Sequence, residues 1–258
     1  MIVFFLAVAA DVLGLAAIAE VVSHEEVVEA IDTHGLSELA VVDLDGRLIG
    51  VIRQDRVVSA KKEQASVGMQ TMVGVSKEER ALSSPAFAVR KRLPWLQINL
   101  LTAFLAATVV GFFESTIAQF TALAVLLPVV AGQSGNTGAQ ALAVVMRGLA
   151  LREVRVSQWR RVIGKECAAG LLNGLAVAAT TAAGVALWSG SLGLVLVIAI
   201  SMVLSMVIAG MAGAAIPMLL TMLDQDPAQS SSILLTTITD VAGFFSFLGI
   251  ATLMVGML

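Results

Sequence analysis

The sequence predicts a mainly α-helical membrane protein in which five transmembrane helices follow a small α/β module. Three observations support this fold class. Hydrophobic residues make up 58% of the chain, the mean hydropathy is +0.91 and only 14% of residues are charged, whereas soluble domains are about 45–50% apolar and about 25% charged. No Lys or Arg follows Lys165, although acidic residues persist. Residues 21–60 show a short helix–strand–turn–strand–helix pattern. The composition excludes an ordinary cytosolic enzyme, a disordered chain and a nucleic-acid-binding protein.

The α/β module is predicted within residues 1–60. An amphipathic helix over 21–31 precedes two β-rich runs, 39–42 and 48–52, which are joined by an Asp-Leu-Asp-Gly turn and followed by a second helix from residue 54. Asp11 interrupts the apolar run at 1–20, and a charge is costly in a lipid-facing helix. We therefore expect this run to be a helix or strand of the module rather than a transmembrane helix or a signal peptide.

The rest of the chain divides into a polar connecting segment at 61–92 and a transmembrane domain at 93–258. Its five helices are predicted near residues 94–113, 121–149, 163–188, 192–220 and 230–256, and the second is expected to be broken. Basic residues cluster at 90–92 and 147–165, on the same predicted side of the membrane. Because cytoplasmic loops are enriched in Lys and Arg, we expect a cytoplasmic N-terminus and an external C-terminus.

Asp240 is the candidate functional residue that lies deepest in the predicted membrane region. It falls about ten residues, or ~15 Å, into the last helix. An ionisable group at that depth usually marks the path of an ion or substrate, and Thr236 and Gly243 share its helical face. The alternative is a protonated carboxyl group that hydrogen-bonds to a neighbouring helix.

The second helix contains the sequence PVVAGQSGNTGAQ at 128–140, which combines a proline, three glycines and several polar side chains. Irregular backbone is tolerated in a membrane where it lines a cavity. Opened backbone carbonyls together with Gln133, Asn136 and Gln140 would supply oxygen ligands there. Close packing of helices through small residues is the alternative, and both can hold at once.

These groups indicate a class of ion. Carboxylate, amide and carbonyl oxygens without a thiolate or a nearby histidine favour Mg²⁺, Ca²⁺ or Mn²⁺. Mg²⁺ gives up its water reluctantly, so a site with few carboxylates suits a largely hydrated Mg²⁺. One carboxylate per chain binds an ion weakly, and two chains facing each other across a symmetry axis would bring two carboxylates to one ion.

Further acidic residues are weaker candidates. Glu114 could attract cations at the external mouth or be an ordinary interfacial carboxylate. Asp224 and Asp226 could line an internal vestibule or provide the negative charge that a helix N-terminus favours. A third group could bind regulatory Mg²⁺, although a solvated surface is the simpler interpretation for each member: Glu63, Glu78 and Glu79.

Two known families are similar to parts of this chain. The sequence HGLSELAVVDLDGRLIGVIRQDRVV resembles one CBS repeat, a unit that senses adenosine nucleotides or ions and normally works in pairs, so a partner chain is expected to supply the second repeat. A small structural hairpin is the alternative. The runs LPVVAGQSGNTGAQALAVVMRGLALREV, RKRLPWLQINLLTAF and DPAQSSSILLTTITD resemble the MgtE-type magnesium transporter family, and the resemblance covers about residues 20–256.

The second resemblance implies a homodimeric Mg²⁺ channel with five helices per chain that is gated by cytosolic domains. Asp240 would bind hydrated Mg²⁺ in the pore, and Asn136 with the backbone oxygens of Gly132 and Thr236 would complete the selectivity site. Residues 78–92 would correspond to the connecting, or plug, helix. The chain has SGNTG where members commonly have GGNAG, which implies a more polar lining. The family's N-terminal helical domain and first CBS repeat are absent or reduced to residues 1–20, so less complete closure at high internal Mg²⁺ is expected.

We therefore expect a channel or transporter for Mg²⁺ in a bacterial or archaeal inner or plasma membrane. The expected partners are a second copy of the chain, membrane lipid, Mg²⁺ and an adenine nucleotide at the CBS-like module, with no nucleic acid. An enzyme is not expected, since an intramembrane aspartyl protease would need a second deep carboxylate. The alternative function is a non-transporting, membrane-anchored sensor of a nucleotide or ion, which would need no cavity in its second helix.

Overall fold

The structure, a computed structural model, describes residues 17–19, 31, 37–42, 47–55, 74–76, 78–151, 153–225 and 227–258. The chain divides into two units, Met1–Gly68 and Met69–Leu258. Several predictions lie outside the described residues: the turn at 43–46, most of the helix at 21–31, and the candidate residues Glu63 and Asp226.

The first unit contains a three-stranded sheet formed by β1 (Ala17–Ala19), β2 (Glu38–Val42) and β3 (Leu48–Arg53), in the order β1-β2-β3. β1 runs parallel to β2, and β2 runs antiparallel to β3 with a bulge between Val41 and Val42. The two predicted strands are confirmed. Leu39 is fully buried, whereas Leu48 and Val51 on the edge strand β3 are 65% and 51% exposed, so one apolar surface of the described sheet is uncovered.

The described part of the second unit has six α-helices. These are α1 (Pro85–Gly111), α2 (Glu114–Gln119), α3 (Ala122–Ala150), α4 (Trp159–Ser189), α5 (Leu192–Met222) and α6 (Pro227–Leu253), with 3₁₀ turns at Val156–Gln158 and Val255–Met257. Among the described residues, four segments are long and apolar enough to cross a membrane: Pro85–Gly111, Val156–Ser189, Leu192–Met222 and Ser231–Leu253. α3 is not among these four, although it has 29 residues, because its polar stretch lowers its hydropathy.

The prediction that the second long helix is broken was wrong. α3 is one continuous α-helix through Pro128 and the glycines that follow it. A proline inside a helix removes one backbone hydrogen bond, and each glycine costs about 1 kcal/mol relative to alanine. Tertiary packing can offset such costs, because most helix stability in proteins comes from the packed face rather than from propensity.

α1 begins earlier than the sequence predicted. Ser84 is the N-cap, its Oγ accepts a hydrogen bond from the backbone N–H of Phe87, and Pro85 takes the first helical turn, where its missing N–H is not needed. Residues 78–84 form turns, so the segment expected to connect as a helix over 78–92 is helical only from Pro85 onward. From there it continues without interruption into the first long apolar helix.

α5 is the central helix of the second unit and packs against α3, α4 and α6. Its contact with α4 depends on two glycines spaced four residues apart. A Cβ atom at Gly170 would lie 2.7 Å from the backbone oxygen of Met206, and one at Gly174 would lie 3.1 Å from Cα of Val203. Small residues at this spacing let helix backbones approach closely, so this pair serves packing within the chain.

Candidate metal site

The helices α3 and α6 carry the deep site residues and cross in direct contact. A Cβ atom at Gly243 of α6 would lie 3.4 Å from Oγ of Ser134 on α3. At the next contact along the pair, a Cβ atom at Gly138 would lie 2.8 Å from Cδ1 of Leu235. Residue numbers therefore rise along α3 as they fall along α6, and the two helices are antiparallel over this crossing.

These two contacts place Asn136 and Asp240 at the same level of the helix pair. Asn136 lies midway between Ser134 and Gly138, and Asp240 is one residue from the midpoint between Leu235 and Gly243. Asn136 is exposed and Asp240 is partly exposed, so their polar groups remain accessible beside the buried crossing. The two residues therefore share a level, although Asn136 is two residues from both Ser134 and Gly138 and so lies on the side of α3 that faces away from α6.

The backbone oxygens predicted to complete the site belong to continuous helices. Gly132 and Thr236 are both exposed, and the carbonyl oxygen of Thr236 accepts a hydrogen bond from the Thr239 hydroxyl at 3.1 Å. The Thr236 hydroxyl in turn donates to the carbonyl of Ser232 at 2.9 Å. A carbonyl oxygen has two lone pairs. Because both helices are continuous, neither the Gly132 nor the Thr236 carbonyl is released from its backbone hydrogen bond by a break in the helix.

The glycines of α3 serve two different faces. Gly138 is buried, and a Cβ atom there would lie 3.3 Å from the backbone oxygen of Ala209 on α5 as well as against Leu235. Gly132 and Gly135 have no neighbouring atom within 4 Å of a Cβ atom at either position. Close packing, one of the two alternatives for this stretch, is therefore supported at Gly138. The opened backbone of the other alternative is not found, and the exposed side of the helix carries Gly132 and Asn136.

Glu114 and Asp224, the next acidic candidates, do not belong to the parts of α3 and α6 that cross. Glu114 is the exposed first residue of α2. Asp224 is exposed directly after α5 and has a φ of 54°, a left-handed conformation that Asp tolerates better than most residues. Among the described residues, no three His, Cys, Asp or Glu side chains are close enough together to hold a metal ion.

Glu78 and Glu79 form ion pairs with the start of α1. Lys91 Nζ lies 2.6 Å from the Glu78 carboxylate, and this hydrogen bond and the lysine charge lower the pKa of Glu78 below its ordinary value. Glu79 is buried and accepts two hydrogen bonds from the Arg92 guanidinium. The turn segment before α1 is therefore folded back along the first turns of that helix.

A cavity of about 300 Å³ lies where residues 74–75, α1 and α6 meet. Thr236 lines it, so the cavity adjoins the candidate site. Sequence reasoning did not single out Asn99 and Ser232, which also line it. A polar side chain within an apolar helix is a signal that could have identified Asn99, whereas Ser232 belongs to a polar run at the start of α6. The full lining is Gly74, Val75, Arg92, Trp95, Leu96, Asn99, Ser232, Ile233 and Thr236.

The four long apolar helices identify the chain as a helical integral membrane protein. Residues 127–250 match the family model of MgtE, described as a divalent cation transporter. The chain is 34% identical over 232 residues to the magnesium transporter MgtE of Thermus thermophilus, which covers 89% of this chain and 51% of that protein. It is 31% identical to the magnesium transporters MgtE of Enterococcus faecalis and Bacillus subtilis, over 89% and 88% of this chain and 50% and 51% of theirs.

The chain belongs to the MgtE family, as its sequence motifs predicted. It spans about half the length of these three relatives.

Proposed function

We propose that this chain forms a magnesium channel or transporter that moves largely hydrated Mg²⁺ across the membrane. The observation that carries the proposal is the position of Asn136 and Asp240 at one level of the α3–α6 crossing, with both side chains accessible. The three relatives named as magnesium transporters support the choice of ion. The alternative of a non-transporting sensor gains no support from this geometry.

The chemistry of the crossing suits an ion that keeps most of its water. Asp240 provides a full negative charge, and no Lys or Arg follows Lys165 in the sequence to neutralise it from α5 or α6. The Asn136 amide oxygen and the second lone pair of the Gly132 carbonyl can accept hydrogen bonds from water bound to the ion, whereas the Thr236 carbonyl would first have to release the Thr239 hydroxyl. Mg²⁺ dehydrates reluctantly and keeps several waters when few carboxylates are available, so this donor set favours outer-sphere binding.

We propose a homodimer with the pore on its axis and five membrane helices per chain, with α3 as the fifth. The apolar helices α5 and α6 pack against the buried face of α3. The exposed polar face of α3 needs water or protein beside it in a bilayer. A second chain would add a second Asp240 to the same ion. The exposed apolar residues of β3 could pack against a second copy of the CBS-like module. An adenine nucleotide would then bind between the two copies.

Regulation by cytosolic Mg²⁺ is part of the proposal, with the turn segment before α1 as the responsive element. Glu78 is exposed, and its pairing with Lys91 is open to competition from a divalent ion. An exposed ion pair is only weakly stabilising, so a divalent ion can compete with Lys91 for the Glu78 carboxylate. On this basis we expect Mg²⁺ to alter the turn segment.

Flux through reconstituted protein tests the proposal. In liposomes that contain a Mg²⁺ indicator, Asp240→Asn should lower the initial uptake rate about 10- to 150-fold, because hydrogen bonds to a charged group contribute about 1.5–3 kcal/mol. Glu38→Gln removes an exposed carboxylate from β2 and should leave uptake unchanged. Gel filtration of both variants verifies folding. A folded Asp240→Asn protein with the uptake of the unmodified chain would refute the assigned role of this carboxylate.

A further inference from the structure

The connection between α3 and α4 concentrates positive charge. Residues 147–166 contain six Lys or Arg residues and two glutamates. Glu153 pairs with Arg147 at 3.2 Å, and Glu166 pairs with Lys165 at 2.5 Å. Of the other four, Arg152 lies outside the described residues, and no carboxylate of the described residues pairs with the remaining three, which are exposed. We call these arginines and the adjacent tryptophan the basic patch: Arg155, Trp159, Arg160 and Arg161.

Helix stability does not account for this charge. Arg160 and Arg161 lie in the first turn of α4, which has no acidic residue and no side chain that caps its N-terminus. The N-terminal end of a helix carries partial positive charge and favours acidic side chains. Two arginines there are unfavourable for the isolated helix, so their presence is not explained by the stability of α4.

The backbone that carries the patch is held in place. The N–H of Val154 donates to the carbonyl of Gly148 at 3.1 Å, and a Cβ atom at Gly148 would lie 3.2 Å from Cγ2 of Val154, so the connection folds back onto the end of α3. The N–H of Arg155 donates to Oε1 of Gln158 at 3.0 Å. The arginines therefore project from an ordered turn.

Trp159 indicates which environment the patch meets. Its side chain is 42% exposed at the first position of α4, and the Arg160 guanidinium lies 5.2 Å from its ring centroid. Tryptophan is enriched at the level of lipid headgroups, where its apolar ring and its N–H are both accommodated. Because α4 belongs to a membrane-crossing segment, its first turn lies where that segment meets the headgroups.

We propose that the basic patch binds the phosphate groups of anionic phospholipids. Arginine guanidinium groups match phosphate oxygens with two parallel hydrogen bonds, and the nearby bilayer supplies these phosphates at high local concentration. The patch is joined through its ordered turn to the end of α3, the helix that carries Asn136. The binding does not depend on the proposed transport.

Quenching of Trp159 by brominated lipids measures this binding. The full chain with Trp95→Phe and Trp188→Phe retains Trp159 as its single tryptophan. In phosphatidylcholine vesicles, brominated phosphatidylglycerol should quench Trp159 at lower mole fraction than brominated phosphatidylcholine does. A basic residue near an anionic membrane surface strengthens binding about fivefold, so changing all three arginines to Gln should lower the selectivity by at least fivefold. Changing them to Lys should retain most of it, and Arg90→Gln, which changes an exposed basic residue of α1, should have no effect.

Several results would overturn the proposal. Equal quenching by the two brominated lipids in the unmodified patch would show that it does not select anionic lipid. Unchanged selectivity in the triple Gln variant would assign the preference to another surface. Displacement of brominated phosphatidylglycerol by inorganic phosphate, but not by chloride at equal ionic strength, would show that the patch binds a soluble anion instead.

Discussion

The substitution Gly213→Ala tests the close contact between α3 and α5. A Cβ atom at Gly213 would lie 2.4 Å from the backbone oxygen of Gly138 and 2.8 Å from Cβ of Ala141. Neither atom can rotate away, and ordinary contacts between such atoms are about 3.5 Å or longer. The two helices would therefore have to separate by roughly 1 Å. Overpacking of this kind costs about 1–3 kcal/mol, from which up to about 1 kcal/mol of improved helix propensity must be subtracted.

Gly135→Ala is the matched control in the same membrane domain. No atom lies within 4 Å of a Cβ atom at this position, so the methyl group enters open space. The gain in helix propensity is the same as for Gly213→Ala, and the packing cost is absent. Gly135→Ala should therefore be neutral or more stable by up to about 1 kcal/mol.

Thermal unfolding in detergent distinguishes the two variants. Cys167 is the single cysteine and is only partly exposed, so a thiol-reactive dye reports its exposure on unfolding. One kcal/mol corresponds to about 2–4 °C for a chain of this size, and Gly213→Ala should unfold roughly 2–12 °C below Gly135→Ala. Equal midpoints for the two variants would refute the close contact between α3 and α5.

Two further predictions concern the turn segment before α1. Glu79→Gln removes the charge of a buried carboxylate whose partner Arg92 is half-exposed. The free energy of unfolding should fall by about 1–2 kcal/mol, which is less than the 3–5 kcal/mol expected when a fully buried ion pair is broken. Limited proteolysis within 78–84 should then be about 5- to 30-fold faster. Glu78→Gln breaks an exposed ion pair and should change the rate of proteolysis less than fivefold. Equal rates of proteolysis in the two variants would contradict this prediction. The stabilisation from the Glu78–Lys91 pair should be present above the unfolded pKa of Glu78 and lost as the pH falls through its lowered folded pKa. The carboxyl ¹³C shift of Glu78 should show that lowered pKa, and an unchanged pKa in Lys91→Met would refute its cause.

The sequence was sufficient to identify the membrane class and the deep polar residues. Asp240 and Asn136 stand out because a charged or amide side chain is rare within a long apolar run. Their common level was not predictable from one sequence. It depends on which residues of α3 meet which residues of α6, and that register is set by the contact of Ser134 with Gly243 across the crossing.

The start of α1 and the expected break in α3 were predicted wrongly for the same physical reason. The sequence analysis placed the ends of helices where apolar character changes, but a helix ends where its backbone groups are capped or its hydrogen bonds cannot continue. α1 therefore starts at its Ser84 cap and includes the basic residues at 90–92. α3 continues through the glycines that suggested a break, since a glycine weakens a helix without ending it. Asn99 and Ser232 were missed because their place in the cavity lining depends on how α1 and α6 pack together, which one sequence does not give.

The polarity of α3 gives an independent reason to place water or protein beside it. Its buried face includes Val130, Ser134 and Gly138, whereas Asn136 and Gln140 are exposed one turn apart. If that exposed face met lipid, each amide would lose its hydrogen bonds to water, at a cost of several kcal/mol. Water in a path along the helix, or a second copy of the chain across that path, would satisfy both amides. The polar residues that make α3 less apolar than the four other long helices are the kind of residue that a pore for a hydrated ion requires. This supports placing the proposed pore against the exposed face of α3.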